Sequence, residues 1–267
     1  MVRFFCLGSG SSGNSYFLTT GQTSILIDAG LSLRALRRTL ESHGFTLDML
    51  DAVFVTHDHA DHIKSVGNLA NDYDIPIYAT PEVLLGINRN YCVTSKLTDS
   101  HARQVFKMQP LQLGEFTVTP FEVLHDSSDC VGYRVEVEGI TFCLITDAGQ
   151  VTPQIEEMVR EANYLVLESN HDEEMLARGP YPAYLKGRIR SGRGHLSNRE
   201  CANLLAQHAT EKLRHVWLCH LSEENNHPEL ARKTVSSVLR SYGIIEGVDF
   251  QMEVLRRKTP SRVYDLV

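Results

Sequence analysis

The sequence predicts an α/β sandwich built around two sheets with helices covering them. Three observations predict it. Short apolar runs recur along all 267 residues, helical patterns lie between several of these runs, and the middle third reads as consecutive strands. Strand–helix alternation on either side of a strand-rich centre places helices over sheets. A hydrophobic fraction of 42% with 22% charged residues is ordinary for a soluble globular chain. The length suffices to bury a substantial core as a single domain over residues 1–267.

The first apolar run, 2–7, stops at Gly8-Ser9-Gly10. It is too short for a signal-peptide core, and no run approaches a membrane span, so a cytoplasmic protein without membrane contact is expected. Strands are predicted next at 15–19 and 24–28, then a helix over 32–43 with Ser32 as N-cap and Gly44 as its stop. A strand at 52–55, a helix near 62–71, a strand at 75–79 and a helix near 81–88 follow. Runs 116–124, 131–137 and 140–146 have Gly-containing turns between them, as in an antiparallel meander. Thr152-Pro153 and His227-Pro228 place proline in the first turn of helices over 152–162 and 228–242, where its missing N–H costs nothing. Ser197-Asn198-Arg199-Glu200 is a capping-box pattern that opens a helix over 197–208. Strands at 163–168, 215–219 and 250–255 complete the set. The six cysteines form no Cys-x-x-Cys pair and most lie in apolar surroundings, as reduced core thiols of a cytosolic protein do. Cys219 reads as a buried strand residue, with a soft metal ligand as the alternative.

Chemistry concentrates at Thr56-His57-Asp58-His59-Ala60-Asp61-His62, directly after the apolar run Ala52-Val53-Phe54-Val55. Three imidazoles and a carboxylate in six residues form a nitrogen and oxygen donor set suited to zinc, with manganese or iron as alternatives. Four donors on one loop do not complete a two-metal site, so further donors are expected at other strand ends. His125, Asp147 and His220 each close an apolar run, where functional groups sit on sheet scaffolds. The net charge of −7, from 26 basic and 33 acidic residues, carries no bulk signal for nucleic acid.

This series of motifs resembles the metallo-β-lactamase superfamily along nearly the whole chain. The resemblance implies a four-layer αββα sandwich. It also implies a first divalent ion held by His57, His59 and His125, a second by Asp61, His62 and His220, and Asp147 bridging both. Asp28, after Ile25-Leu26-Ile27, matches an early strand-end aspartate that orients a ligand histidine; closing a turn is its alternative role. Gly194-His195-Leu196-Ser197 together with His220-Leu221-Ser222 resembles the nuclease branch that includes RNase Z, in which a histidine at a helix start contacts the scissile phosphate. His195 is therefore expected to stabilise charge or protonate the leaving oxygen, and Asp61 to take the proton of the attacking water as well as bind metal.

Lys186, Arg188, Arg190 and Arg193, read as a Gly-containing loop beside His195, are expected to contact phosphate, although a charge run alone also fits a solvated surface. Ser12 and Asn14, in the polar loop after the first strand, are expected near the substrate as well. Arg256-Arg257-Lys258 points the same way or merely flanks an edge strand. Glu168 and His171 follow the strand at 163–168 and fit the rim of the site as well as a structural role. Only 48 positions separate Asp147 from His195, too few for the added domain of RNase J-like proteins. The 22 from His125 to Asp147 leave no room for the arm of RNase Z. What remains is similar to the compact YycJ (WalJ, VicX) family, on Leu7-Gly8-Ser9-Gly10-Ser11-Ser12-Gly13-Asn14, Glu168-Ser169-Asn170-His171-Asp172 and His220-Leu221-Ser222-Glu223-Glu224-Asn225-Asn226. That resemblance implies a metal-dependent phosphodiesterase, a 5′-to-3′ DNA exonuclease, with DNA favoured over RNA. Two cations about 3.5–4 Å apart would bring a shared hydroxide toward neutral pKa. The competing readings are a thioester or lactone hydrolase, which needs no cationic segment, and a non-catalytic protein braced by metal.

Overall fold

The computed structural model describes all residues, Met1–Val267. The chain divides into two compact units. One comprises Met1–Pro120, Ser127–Val131 and Arg257–Val267, and the other Phe121–Asp126 and Gly132–Arg256.

In the first unit, β1 (Val2–Gly8), β2 (Ser15–Thr19) and β3 (Ser24–Ile27) form an antiparallel meander. The chain then crosses over through α1 (Leu33–Ser42) to β4 (Ala52–Phe54), parallel to β3. Ser32 caps α1 by accepting the Ala35 N–H, and Leu36 and Leu40 are its buried face. Two short helices, α2 (Ala60–Ile63) and α3 (Val66–Tyr73), lead to β5 (Ile77–Ala79); α4 (Pro81–Arg89) leads to β6 (Ala102–Gln104). The single helix expected over 62–71 is therefore broken in two. The break sits at Ser65, whose N–H and hydroxyl bond the Ala29 and Leu31 carbonyls of the preceding loop. The final strand, β14 (Tyr264–Leu266), returns beside β1, giving the order β14-β1-β2-β3-β4-β5-β6. β2, β3 and β4 are buried throughout, as parallel and central strands are when both faces are covered. Phe5, Phe17, Leu26, Val53, Leu69 and Ile87 belong to one apolar cluster under these helices. β7 (Leu111–Leu113) pairs antiparallel with β8 (Phe116–Glu122), along which the chain passes into the second unit.

There, β9 (Val131–Val137) and β10 (Ile140–Ile145) form an antiparallel hairpin. Its two-residue turn, Glu138-Gly139, has both φ values positive at 49° and 80°, the twist that suits tight hairpins. From β10 onward every neighbour is parallel: α5 (Pro153–Glu161) precedes β11 (Tyr164–Glu168), and α6 (Glu173–Arg178), α7 (Ala183–Ile189) and α8 (Asn198–His208) precede β12 (His215–Cys219). Finally α9 (Pro228–Ser241) precedes β13 (Gln251–Val254). The order is β13-β12-β11-β10-β9. α5, α8 and α9 bury Ile155, Val159, Cys201, Leu205, Val235 and Leu239, and the expected capping box at Ser197 and Glu200 is present. Cys219 is a fully buried strand residue. No helix is long and apolar enough to cross a membrane.

Three short strands (β6, β7, β14) and two helices (α6, α7) lie outside the elements expected from the sequence. α7 corrects one expectation directly, because Lys186-Gly187-Arg188-Ile189 is helical and the loop begins only at Arg190.

Candidate metal centre

The first unit gathers its polar residues at the carboxyl ends of β3 and β4. Asp28 follows β3 with a left-handed φ of 61° and is fully buried. Its carboxylate accepts the Thr56 N–H at 2.8 Å, the Thr56 hydroxyl at 2.9 Å and the His62 Nδ1–H at 2.7 Å. The Thr56 hydroxyl hydrogen is thereby committed to Asp28, so its oxygen accepts from His57 Nδ1 at 3.0 Å. Both imidazoles are thus fixed in the tautomer that presents Nε2 as a lone-pair donor, the form that binds metals. The His57 ring lies 4.1 Å from that of His62 and 4.7 Å from that of His59, the residue that opens α2. Asp61 Oδ2 stands 3.6 Å from His62 Nε2. Burial lifts the Asp28 carboxyl above its ordinary pKa, against the opposing pull of His62 and Thr56.

Backbone packing places Asp61. Its carbonyl receives the Asn14 N–H at 2.8 Å and lies so close to Gly30 that a Cβ there would sit 1.6 Å away. Only glycine fits at position 30. Asn14 was expected near the substrate; it is buried, its amide nitrogen 2.9 Å from His62 Nε2 and 3.2 Å from Asp61 Oδ2. Its side-chain oxygen is spent on Gly10 N–H, so it braces the donors. Ser12, also expected near the substrate, is exposed.

The second unit holds a matching set at the ends of β8, β10, β11 and β12. Asp147 and His220 are buried and both left-handed, with φ of 55° and 53°. Asp147 Oδ1 stands 3.7 Å from His125 Nε2 and 3.6 Å from His220 Nε2, beyond hydrogen-bond reach but spaced as donors around a cation would be. His125 Nδ1–H donates to the Gly194 carbonyl at 3.0 Å, which again leaves Nε2 as the donor nitrogen.

Glu168 organises this half. Completely buried, its Oε1 accepts His195 Nδ1 at 2.8 Å and faces His220 Nδ1 at 3.2 Å, while Oε2 accepts Ala148 N–H at 2.8 Å and Leu196 N–H at 3.2 Å. Burial works to raise its pKa, but the charge and hydrogen bonds of His195 and His220 hold the carboxyl below its ordinary value. For His195, burial works to lower the pKa, yet Glu168 and Asp147 hold it above the usual imidazole range. The sequence placed Glu168 no more firmly than on the rim, since an acid closing a strand serves either purpose.

His171 lies beside this group. Its Nδ1 is buried without a hydrogen-bond partner, and burial depresses its pKa to about 4. With His195, Arg190, Glu173 and Ser197 it lines a cavity of about 300 Å³. Of the cationic segment, Arg190 and Arg193 are exposed. Arg188 instead pairs with Asp126, and Lys186 donates to the Ala177 carbonyl at 2.8 Å.

Divalent metal fits these residues: the Nδ1 bonds of His57, His62 and His125 leave each Nε2 with its lone pair, which at His62 the Asn14 amide meets at 2.9 Å, and carboxylate oxygens stand beside them. A family model for the beta-lactamase superfamily domain matches residues 23–220, a span that includes every candidate donor. Exodeoxyribonuclease YycJ of Bacillus anthracis is 35% identical over 263 residues, 98% of each chain. Exodeoxyribonuclease WalJ of Streptococcus pneumoniae is 35% identical over 251 residues, 94% of this chain and 93% of its own. Among solved structures, the metallo-beta-lactamase fold protein YhfI of Bacillus subtilis superposes with a TM-score of 0.73 at 19% identity, covering 97% of this chain and 98% of that one. Zinc-bound PqqB of Methylobacterium extorquens gives a TM-score of 0.72 at 16% identity, covering 99% and 100%. These likenesses establish the fold as the α/β sandwich of the metallo-β-lactamase type, with two mixed sheets flanked by helices. The chain belongs to the beta-lactamase superfamily, in the family that contains YycJ and WalJ.

Proposed function

We propose that this chain is a metal-dependent phosphodiesterase acting as a 5′-to-3′ DNA exonuclease, a cytoplasmic enzyme whose two units work as one domain. The observation that carries this reading is its similarity, from end to end, to exodeoxyribonucleases of two bacteria. Neither of these two relatives is named as a small-ester hydrolase, the alternative reading.

In this proposal His57, His59 and His125 hold one divalent ion; Asp61, His62 and His220 hold a second, with Asp147 shared. Zinc or manganese suits the nitrogen and oxygen set, and iron is compatible with it. Bound there, two such ions supply Lewis-acid polarisation of the phosphoryl group and an activated water.

The protein's own part is orientation and proton handling. Asp28 and Thr56 hold His62 and His57 in the donor tautomer, so neither imidazole has to shift its proton on binding, and at His62 Nε2 the Asn14 amide has to yield. Asp61 takes the proton of the attacking water. Glu168 engages His195 through Nδ1, which leaves Nε2 as the nitrogen available to the phosphate or to the leaving oxygen. Arg190 and Arg193, exposed after α7, are the cations left to meet substrate phosphates near His195.

The test is digestion of end-labelled single- and double-stranded DNA and RNA with defined 5′ termini across zinc, manganese and iron. Stepwise release of nucleotides from DNA 5′ ends, lost with EDTA while circular dichroism is unchanged, is expected. Inertness toward every nucleic acid combined with hydrolysis of a thioester or lactone would overturn the reading.

A further inference from the structure

α1 carries three arginines, and their surroundings differ. Arg37 is engaged with Tyr73, donating to its hydroxyl and lying 6.0 Å from its ring centroid. Arg34 and Arg38 are exposed, one turn apart, and neither guanidinium is paired with a carboxylate. Together with Lys258 they line a cavity of about 520 Å³, completed by Ser32, Ala35, Thr39, Ser42 and Pro260. No acidic side chain lines it. In a chain of net charge −7 an acid-free concavity with three cations is the opposite of the bulk trend.

The lining of this groove begins in sequence at Ser32, just after the loop that carries Asp28. Ser32, which opens α1, is four positions beyond Asp28. The loop between them is bonded to the donor-bearing segments, Ala29 N–H to the His62 carbonyl at 2.8 Å and Gly30 N–H to the Asn14 carbonyl at 2.9 Å.

We infer that the groove formed by Arg34, Arg38 and Lys258 is a docking track for the phosphodiester backbone of the DNA strand, outside the hydrolytic centre. Three cations held by α1 and the segment before β14, with hydroxyls between them, match the charge of a single strand's phosphates. The inference rests on the nuclease reading above and adds to it a positioning surface that no metal donor contributes.

The test compares the metal-loaded protein with an R34A/R38A/K258A variant and a charge-keeping R34K/R38K/K258R variant. Binding of a fluorescent 30-nucleotide phosphorothioate DNA is followed by anisotropy from 0.05 to 0.3 M NaCl, and turnover of bis(p-nitrophenyl) phosphate reports the hydrolytic centre. Losing three single-strand phosphate contacts should flatten the log–log salt slope by about 2 and weaken binding on the order of a hundredfold at 0.1 M salt. The charge-keeping variant should retain the slope, and all three proteins should turn over the small diester alike. An alanine variant with unchanged slope and affinity, beside wild-type protein that binds DNA, would overturn the groove alone. Equal loss of small-diester turnover, or loss of binding to phosphatidylserine vesicles with DNA affinity intact, would overturn it too. Wild-type protein that fails to bind DNA even at low salt would sink the nuclease reading and the groove with it.

Discussion

Glu168→Gln is the most demanding perturbation of this site, because it changes one atom and leaves volume intact. The carboxylate faces four N–H donors: His195 and His220 on Oε1, and the Ala148 and Leu196 amides on Oε2. A carboxamide has one oxygen. Turned one way, its NH₂ confronts the Ala148 and Leu196 amides, at about 1–3 kcal/mol for each unsatisfied buried group, or about 2–6 kcal/mol in all. Turned the other way, it faces His195 and His220, whose Nδ1 can accept from it only in the opposite tautomer. The functional cost is separate. Without an acceptor at Oε1, His195 and His220 lose the partner that fixes their tautomer, so metal affinity should fall 10- to 100-fold. Turnover on end-labelled DNA at saturating metal should fall about 10²-fold or more through misorientation of His195. Urea unfolding of metal-free protein, chelator competition for metal and single-turnover cleavage read the three effects independently. A variant with wild-type unfolding midpoint and wild-type turnover at saturating metal would refute the role assigned to Glu168.

Three further outcomes are expected. His195→Ala should lower turnover by about 10²-fold or more with metal content by elemental analysis unchanged, because its Nδ1 is tied to Glu168 and it holds no ion in the proposed set. Gly30→Ala should exceed the about 1–3 kcal/mol usual for overpacking, measured by urea midpoint, and depress activity, since the new methyl meets the Asp61 carbonyl oxygen at 1.6 Å. His171 remains neutral in the fold because its pKa lies near 4, while the unfolded chain takes up a proton below about 6.5. Its contribution is therefore intact above pH 6.5 and is lost as pH falls toward 4, by up to about 3 kcal/mol. His171→Phe should remove that part of the pH dependence in denaturant titrations at pH 4, 5, 6 and 7.

The strands and the His and Asp residues that follow them were legible because both signals are local. An apolar run that stops at His125, Asp147 or His220 needs no knowledge of its neighbours, and Ser32, Ser197 and Pro228 announce their helices within one turn. What escaped depends on partners distant in sequence. Glu168 meets His195 27 positions later, and Asn14 meets His62 48 positions later; nothing adjacent to either residue specifies that meeting. The helix over 62–71 broke for the same reason, since Ser65 is claimed by carbonyls of the loop after β3. In the cationic segment charge was visible but its use was not: Arg188 is spent on Asp126 and Lys186 on a carbonyl, and α7 continues through a glycine that reads as a loop signal.

Backbone strain ties these donors to the scaffold. Asp28, Asp147 and His220 all turn into the left-handed region within two residues of the end of a central strand, at φ of 61°, 55° and 53°. That region costs about 1–3 kcal/mol for a residue with a Cβ, and Asp and His are among those that enter it more readily. The remaining left-handed residues that are not glycine, Asp74, Met108 and Glu138, lie in turns or caps outside both donor sets. Glycine would relieve the strain at any of the three strand ends but would supply no donor. The strain persists because the residues are themselves tied down, Asp28 by Thr56 and His62, and His220 by Glu168 at its ring and by the Asn170 amide at its carbonyl. A conformation that is unfavourable locally and held by side-chain hydrogen bonds fits the proposed metal site, because the bond from His62 that helps hold Asp28 in its turn also fixes which nitrogen of that imidazole keeps its lone pair.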